Sequence, residues 1–188
     1  MLGRAALLCG LAALALPVWA SAAGGRYTIA GGTRPERQTV VSALEASAFD
    51  WNLVRTEISI QIVRGLDSQA VPGTIWLDAD LLDAGIFSWG VVQHEYAHQV
   101  DYELFNDAIR AQLLSALDGS AWCYSAAALP HGDYGCERFA STLAWSYWAS
   151  PDNCMKPERR DESSALSPRQ FRALLDSLLG RRTQRGAR

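Results

Sequence analysis

Apolar and polar positions alternate along the chain with two periods. In residues 38–51, Val40, Val41, Leu44, Ala48 and Trp51 recur at helical spacing, which predicts an amphipathic helix. In residues 57–63, Ile58, Ile60 and Ile62 face one way and Glu57, Ser59 and Gln61 the other, the period of a half-buried strand. Val71-Pro72-Gly73 reads as a turn leading into a second strand, Thr74-Ile75-Trp76-Leu77. Helical periodicity returns over residues 85–105, 107–117 and 136–149, the last stopped before Pro151. Ser167-Pro168 opens a final helix through Leu179 in good N-cap and N1 positions. Residues 23–37, rich in Gly, Thr and Arg, read as an irregular lead-in. One helix, a small sheet and then several helices predict an α+β domain.

The first residues follow a different logic. Arg4 precedes an apolar stretch too short to span a bilayer, and Ala20-Ser21-Ala22 fits the small-residue rule for signal cleavage. The expected organisation is a signal peptide at 1–22, one domain at 23–180 and a flexible Arg-rich tail at 181–188. The chain is then expected to be secreted or extracytoplasmic, with no membrane span once the signal is removed; the alternative is that the segment stays as an anchor. A net charge of −3 gives no basic excess for phosphates, so no nucleic-acid partner is expected. In an oxidising compartment two of Cys123, Cys136 and Cys154 pair, and the sequence leaves the pairing open.

The chemistry is concentrated in His94-Glu95-Tyr96-Ala97-His98 within the 85–105 helix. Histidines four residues apart share a helix face and can reach one metal ion, and the carboxylate one step on can meet a metal-activated water. Two neutral imidazoles suit one Zn²⁺ per chain, which in catalytic sites takes three protein ligands. Val92, Tyr96 and Val100 form an apolar stripe on the opposite side. His131, Asp133 and Glu137 compete as third ligand. Glu137 is preferred, because Ala140, Ser141 and Ala144 on its helix are small enough for close approach to another helix. Asp101, one turn after His98, is expected to hold a ligand histidine's second N–H. Trp145, Tyr147 and Trp148 read as packing residues.

His94-Glu95-x-x-His98 followed by Glu137-x-x-Ala140 resembles the gluzincin metallopeptidases, whose zinc is held by two His and a Glu on a second helix. More narrowly, His94-Glu95-x-x-His98-x-x-Asp101 with Glu137-Arg138-Phe139-Ala140 resembles the lethal-factor-like branch, which includes Pro-Pro endopeptidases. That branch carries Glu directly after the Ala, where this chain has Ser141. The resemblance implies a zincin-like fold with a short, mainly antiparallel sheet above the active-site helix and a helical half after it. It also implies an edge strand that pairs with extended substrate, for which Thr74, Ile75, Trp76 and Leu77 are the candidates. A Tyr or His stabilising the oxyanion is implied too, and Tyr134 and His131 are the candidates. The expected function is a secreted zinc peptidase acting on a peptide or protein substrate, with Glu95 as general base. Two alternatives share the same residues: a non-catalytic zinc module, and a zinc hydrolase acting on cell-wall peptides or another amide. Oligomeric state is not legible.

Overall fold

The computed structural model describes residues 25–123, 128–157 and 162–180. The expected signal peptide and Arg-rich tail lie outside the described residues. The chain is α+β: β1 (Tyr27–Gly31), α1 (Arg34–Ala46), β2 (Ile58–Val63), β3 (Gln69–Val71), β4 (Thr74–Asp78), α2 (Ala79–Leu82), α3 (Trp89–Leu104), α4 (Asp107–Ala116), α5 (Gly135–Tyr147) and α6 (Pro168–Leu179). No described helix is long and apolar enough to cross a membrane.

The sheet departs from expectation in three ways. Its order is β1-β2-β4-β3, with β1–β2 and β2–β4 parallel and only β3–β4 antiparallel, so it is mainly parallel. The reason is β1, which forms inside the segment read as an irregular lead-in; α1 then carries the chain back so that β2 runs alongside β1. Gly31, with φ at +70°, lets the chain leave β1 where a Cβ would strike the Ile62 carbonyl. Thr33 caps α1 in a reciprocal box with Glu36, which starts the helix four residues before the predicted boundary. Finally, β4 is an inner strand flanked by β2 and β3, so Thr74–Asp78 is not the sheet edge. The edges are β1 and the three-residue β3, the latter too short to show a period in sequence.

Ile58, Ile60 and Ile62 are buried as the alternation predicts, and Ile75 and Leu77 join them. The 85–105 helix divides into a 3-10 turn at Gly85–Ser88 and α3. From Val92 to Asp101 every residue of α3 is buried. Val92, Tyr96 and Val100 enter the apolar core, and the other side of the helix packs on α5. Tyr147 packs edge-on against Phe49 and Trp148 against Trp89, as expected of packing aromatics. On α6, a capping box from Ser167 to Gln170 and a left-handed Gly180 bound a helix that buries Phe171 and Leu175.

Candidate metal centre

Two helices build the site. His94 and His98 sit one turn apart on α3, and Glu137 stands in the first turn of α5. Ala140, Ser141 and Ala144 are all buried at the contact, so the helices approach as the small residues predicted. His94 Nε2 lies 3.1 Å from Glu137 Oε2, His98 Nε2 lies 3.3 Å from the same oxygen, and the two imidazole nitrogens are 3.2 Å apart. The edge of a tetrahedron with 2.0–2.1 Å metal–ligand bonds is about 3.3 Å, so these three atoms have the spacing of one face of a tetrahedral site and could hold a metal ion. Of the three candidate third ligands, only Glu137 joins the histidines in one donor group.

The electrostatics fit a cation. Burial alone would push the Glu137 carboxyl up, but hydrogen bonds from His131, His94 and His98 hold it well below the carboxylate range. His94 is raised despite burial by Glu137 and the nearby carboxylates. Glu95, buried, is raised by desolvation, and it lines both cavities at the site. Buried charged groups converging on one point are paired or metal-bound.

The supporting residues are arranged differently from expectation. Asp101 is fully buried, but its carboxylate accepts from Arg110 Nε at 2.8 Å and Trp122 Nε1 at 3.0 Å. It braces α3 against α4 and the following loop instead of serving a histidine. Tyr134 is engaged in its own loop: its hydroxyl accepts from the Leu129 N–H at 3.1 Å, and it lines neither cavity at the site. His131 does line both cavities, with Nε2 at 3.1 Å from Glu137 Oε2 and its ring stacked on His94. Glu137 and Glu162 together push its pKa up to about 10.

Two residues outside the sequence-based candidates complete the site. Ser141 Oγ is 3.0 Å from His94 Nδ1, and Glu162 reaches in behind it. Ser141 was marked by sequence as a small residue at the helix contact and as a departure from a pattern, and Glu162 by no spacing at all. The cysteines resolve the open pairing: Cys123 and Cys136 are joined, their Cα atoms 5.6 Å apart, and Cys154 is free.

The cleft is in two parts that share Ser68, His94, Glu95 and His131. A cavity of about 190 Å³ extends toward Gln69, Ala70 and Tyr102, and one of about 510 Å³ toward Val91, Met155 and Ser163. Gly90, one turn before His94, has no Cβ to collide with Asn153 and Cys154, which lets that segment form the wall of the larger part. Sheet residues at the cleft thus come from the β3 edge and not from Thr74, Ile75, Trp76 and Leu77. Compared with known protein families, curated proteins and solved structures, the chain has no match in any of the three.

Proposed function

We infer that the chain is a zinc-dependent peptidase of gluzincin type, with His94, His98 and Glu137 holding the metal and Glu95 as general base. One observation carries the reading: three donor atoms 3.1–3.3 Å apart on two packed helices, with a further buried carboxylate on the same cavity. Zinc held by such a set supplies Lewis acidity and lowers the pKa of bound water to about 7. Glu95, its pKa raised by burial, accepts a proton from the attacking water and returns it to the departing amine. His131, exposed at the rim, donates a hydrogen bond to the carbonyl oxygen as negative charge develops there.

The cleft extends on both sides of the ligands, which suits an internal peptide bond. Val91 and Met155 in the larger part offer an apolar wall for a side chain next to that bond. Ser68, Gln69 and Ala70 border the chain on the other side. The Cys123–Cys136 disulfide supports an extracytoplasmic location.

The test is zinc content of the oxidised protein, with hydrolysis of a mixed peptide library that includes cell-wall stem peptides. About one zinc per chain is expected, with Glu95→Gln retaining zinc and losing turnover. Turnover retained in that variant removes Glu95 as base, and a folded protein that takes no zinc overturns the reading. His131 Nε2, close to Glu137, favours one second reading, a non-catalytic zinc module with a closed fourth position. X-ray absorption of the zinc protein separates them: an exchangeable water ligand supports catalysis, and a third imidazole the module.

A further inference from the structure

The carboxylate of Glu162 has two partners. Its Oε2 accepts from the Ser141 hydroxyl at 2.6 Å, and its Oε1 faces His131 Nδ1 at 2.7 Å. On its far side, Ser141 Oγ stands 3.0 Å from His94 Nδ1. A serine hydroxyl has one hydrogen to give. Of the acceptors within reach, the Glu162 carboxylate is charged and nearest, His94 Nδ1 lies at 3.0 Å, and Met155 Sδ, a weak acceptor, at 3.5 Å, so the hydrogen goes to the carboxylate. Ser141 then accepts from His94, which fixes a proton on Nδ1 and leaves Nε2, the nitrogen facing Glu137 and His98, as the one a metal would take. A metal requires this tautomer.

The surroundings hold Glu162 in place. Thr142 Oγ1 donates to the Glu162 carbonyl, and Ser163 Oγ to the Met155 carbonyl at 2.6 Å. Gly132 lets the side chain lie against the turn that carries His131, since a Cβ there would sit 3.3 Å from Glu162 Cγ.

We propose that Glu162 is the positioning residue of this centre: one carboxylate fixes the tautomer of the metal ligand His94 through Ser141 and directly orients His131. The assignment rests on the zinc reading above. It makes a residue 21 positions beyond Ser141 supply the carboxylate that the α5 sequence lacks, and it ties the metal to the rim imidazole through a single group.

The experiment compares wild type, Glu162→Ala, Ser141→Ala and the double variant. Zinc affinity is measured by chelator competition, and the His94 tautomer by long-range proton–nitrogen NMR on the metal-free protein. Glu162→Ala and Ser141→Ala should each weaken zinc about 10- to 100-fold, the usual cost of losing such support. The double variant should be no weaker than the worse single one, because both break the same relay. His94 should carry a proton on Nδ1 in wild type and lose it in part of the population in Glu162→Ala. Wild-type zinc affinity in Glu162→Ala overturns the proposal, as do multiplying losses in the double variant. If wild type takes no zinc the metal reading falls by itself, and the NMR tautomer still decides the role of Glu162. Far-UV circular dichroism on every variant keeps unfolding apart from loss of positioning.

Discussion

Asp101 and Arg110 are joined by a 2.8 Å ion pair in which the carboxylate is fully buried and its other oxygen is held by Trp122. The pair lies one turn beyond His98 yet takes no part in the metal centre. Asp101→Ala leaves the Trp122 N–H and the Arg110 guanidinium without their acceptor. It should cost about 2–3 kcal/mol of stability by urea denaturation. Zinc affinity at a temperature where the variant is folded should stay at the wild-type value; a large loss there would return Asp101 to the site.

Glu137 should behave in the opposite way. Glu137→Ala removes a proposed ligand from a partly exposed position, so zinc affinity should fall by more than about 100-fold while the fold survives. Zinc retained at full affinity would shift the third ligand to His131 or Asp133.

The β3–β4 hairpin is fastened to α3 by two side chains. Gln99 accepts from the Gly73 N–H at 2.8 Å and donates to the Val71 carbonyl at 2.9 Å, and Tyr102 donates to the Ala70 carbonyl at 3.0 Å. Gln99→Ala should cost about 1–2 kcal/mol, because the hairpin loses two part-buried hydrogen bonds to α3. Amide exchange in residues 69–78 should quicken far more than in β1 and β2. Uniform quickening across the sheet would show that the fastening is not local.

Tyr27 and Tyr96 meet edge-on in the core with ring centroids 6.4 Å apart. Burial pushes the Tyr27 hydroxyl up to about 12 and Tyr96 higher still. The folded state therefore favours neutral phenols. Their contribution is complete below the ordinary value near 10 and is lost as pH rises through the folded values. Urea midpoints should hold to about pH 10 and then fall, and Tyr27→Phe should flatten that fall. A midpoint independent of pH up to 12 would remove these tyrosines from the balance.

The strong periods were readable in sequence, and so were residues whose role depends on local spacing. The Ile58, Ile60, Ile62 alternation and the His94–His98 helix turn each need only a few consecutive residues. Glu137 was reachable because small neighbours on its own helix marked the close contact. What was not readable depends on distant chain segments. β3 is three residues long, and whether β4 is an edge or an inner strand is decided by where that hairpin lands. Asp101 sits at the right helical spacing for a histidine partner, but Arg110 and Trp122 arrive from outside α3 and take its carboxylate. Glu162 has no fixed spacing from His94 because a loop delivers it. Tyr102 was the exception: at four residues beyond His98 it could have been placed beside the cleft from spacing alone.

The disulfide between Cys123 and Cys136 closes a short loop immediately before Glu137, and its removal should cost about 3 kcal/mol. Thermal unfolding of Cys123→Ala/Cys136→Ala checks this figure. The same bridge governs how any metal assay of the protein reads. Once reduced, the two thiols and Glu137 form a second group of donors that can close on one ion, and it shares its carboxylate with the histidine pair. Thiolates are softer ligands than imidazole and hold zinc strongly. Protein made in a reducing cytosol can therefore carry a full equivalent of zinc on sulfur, with Glu137 drawn away from His94 and His98, and still be inert. Stoichiometry identifies the histidine centre only when the thiol count of the same sample is known.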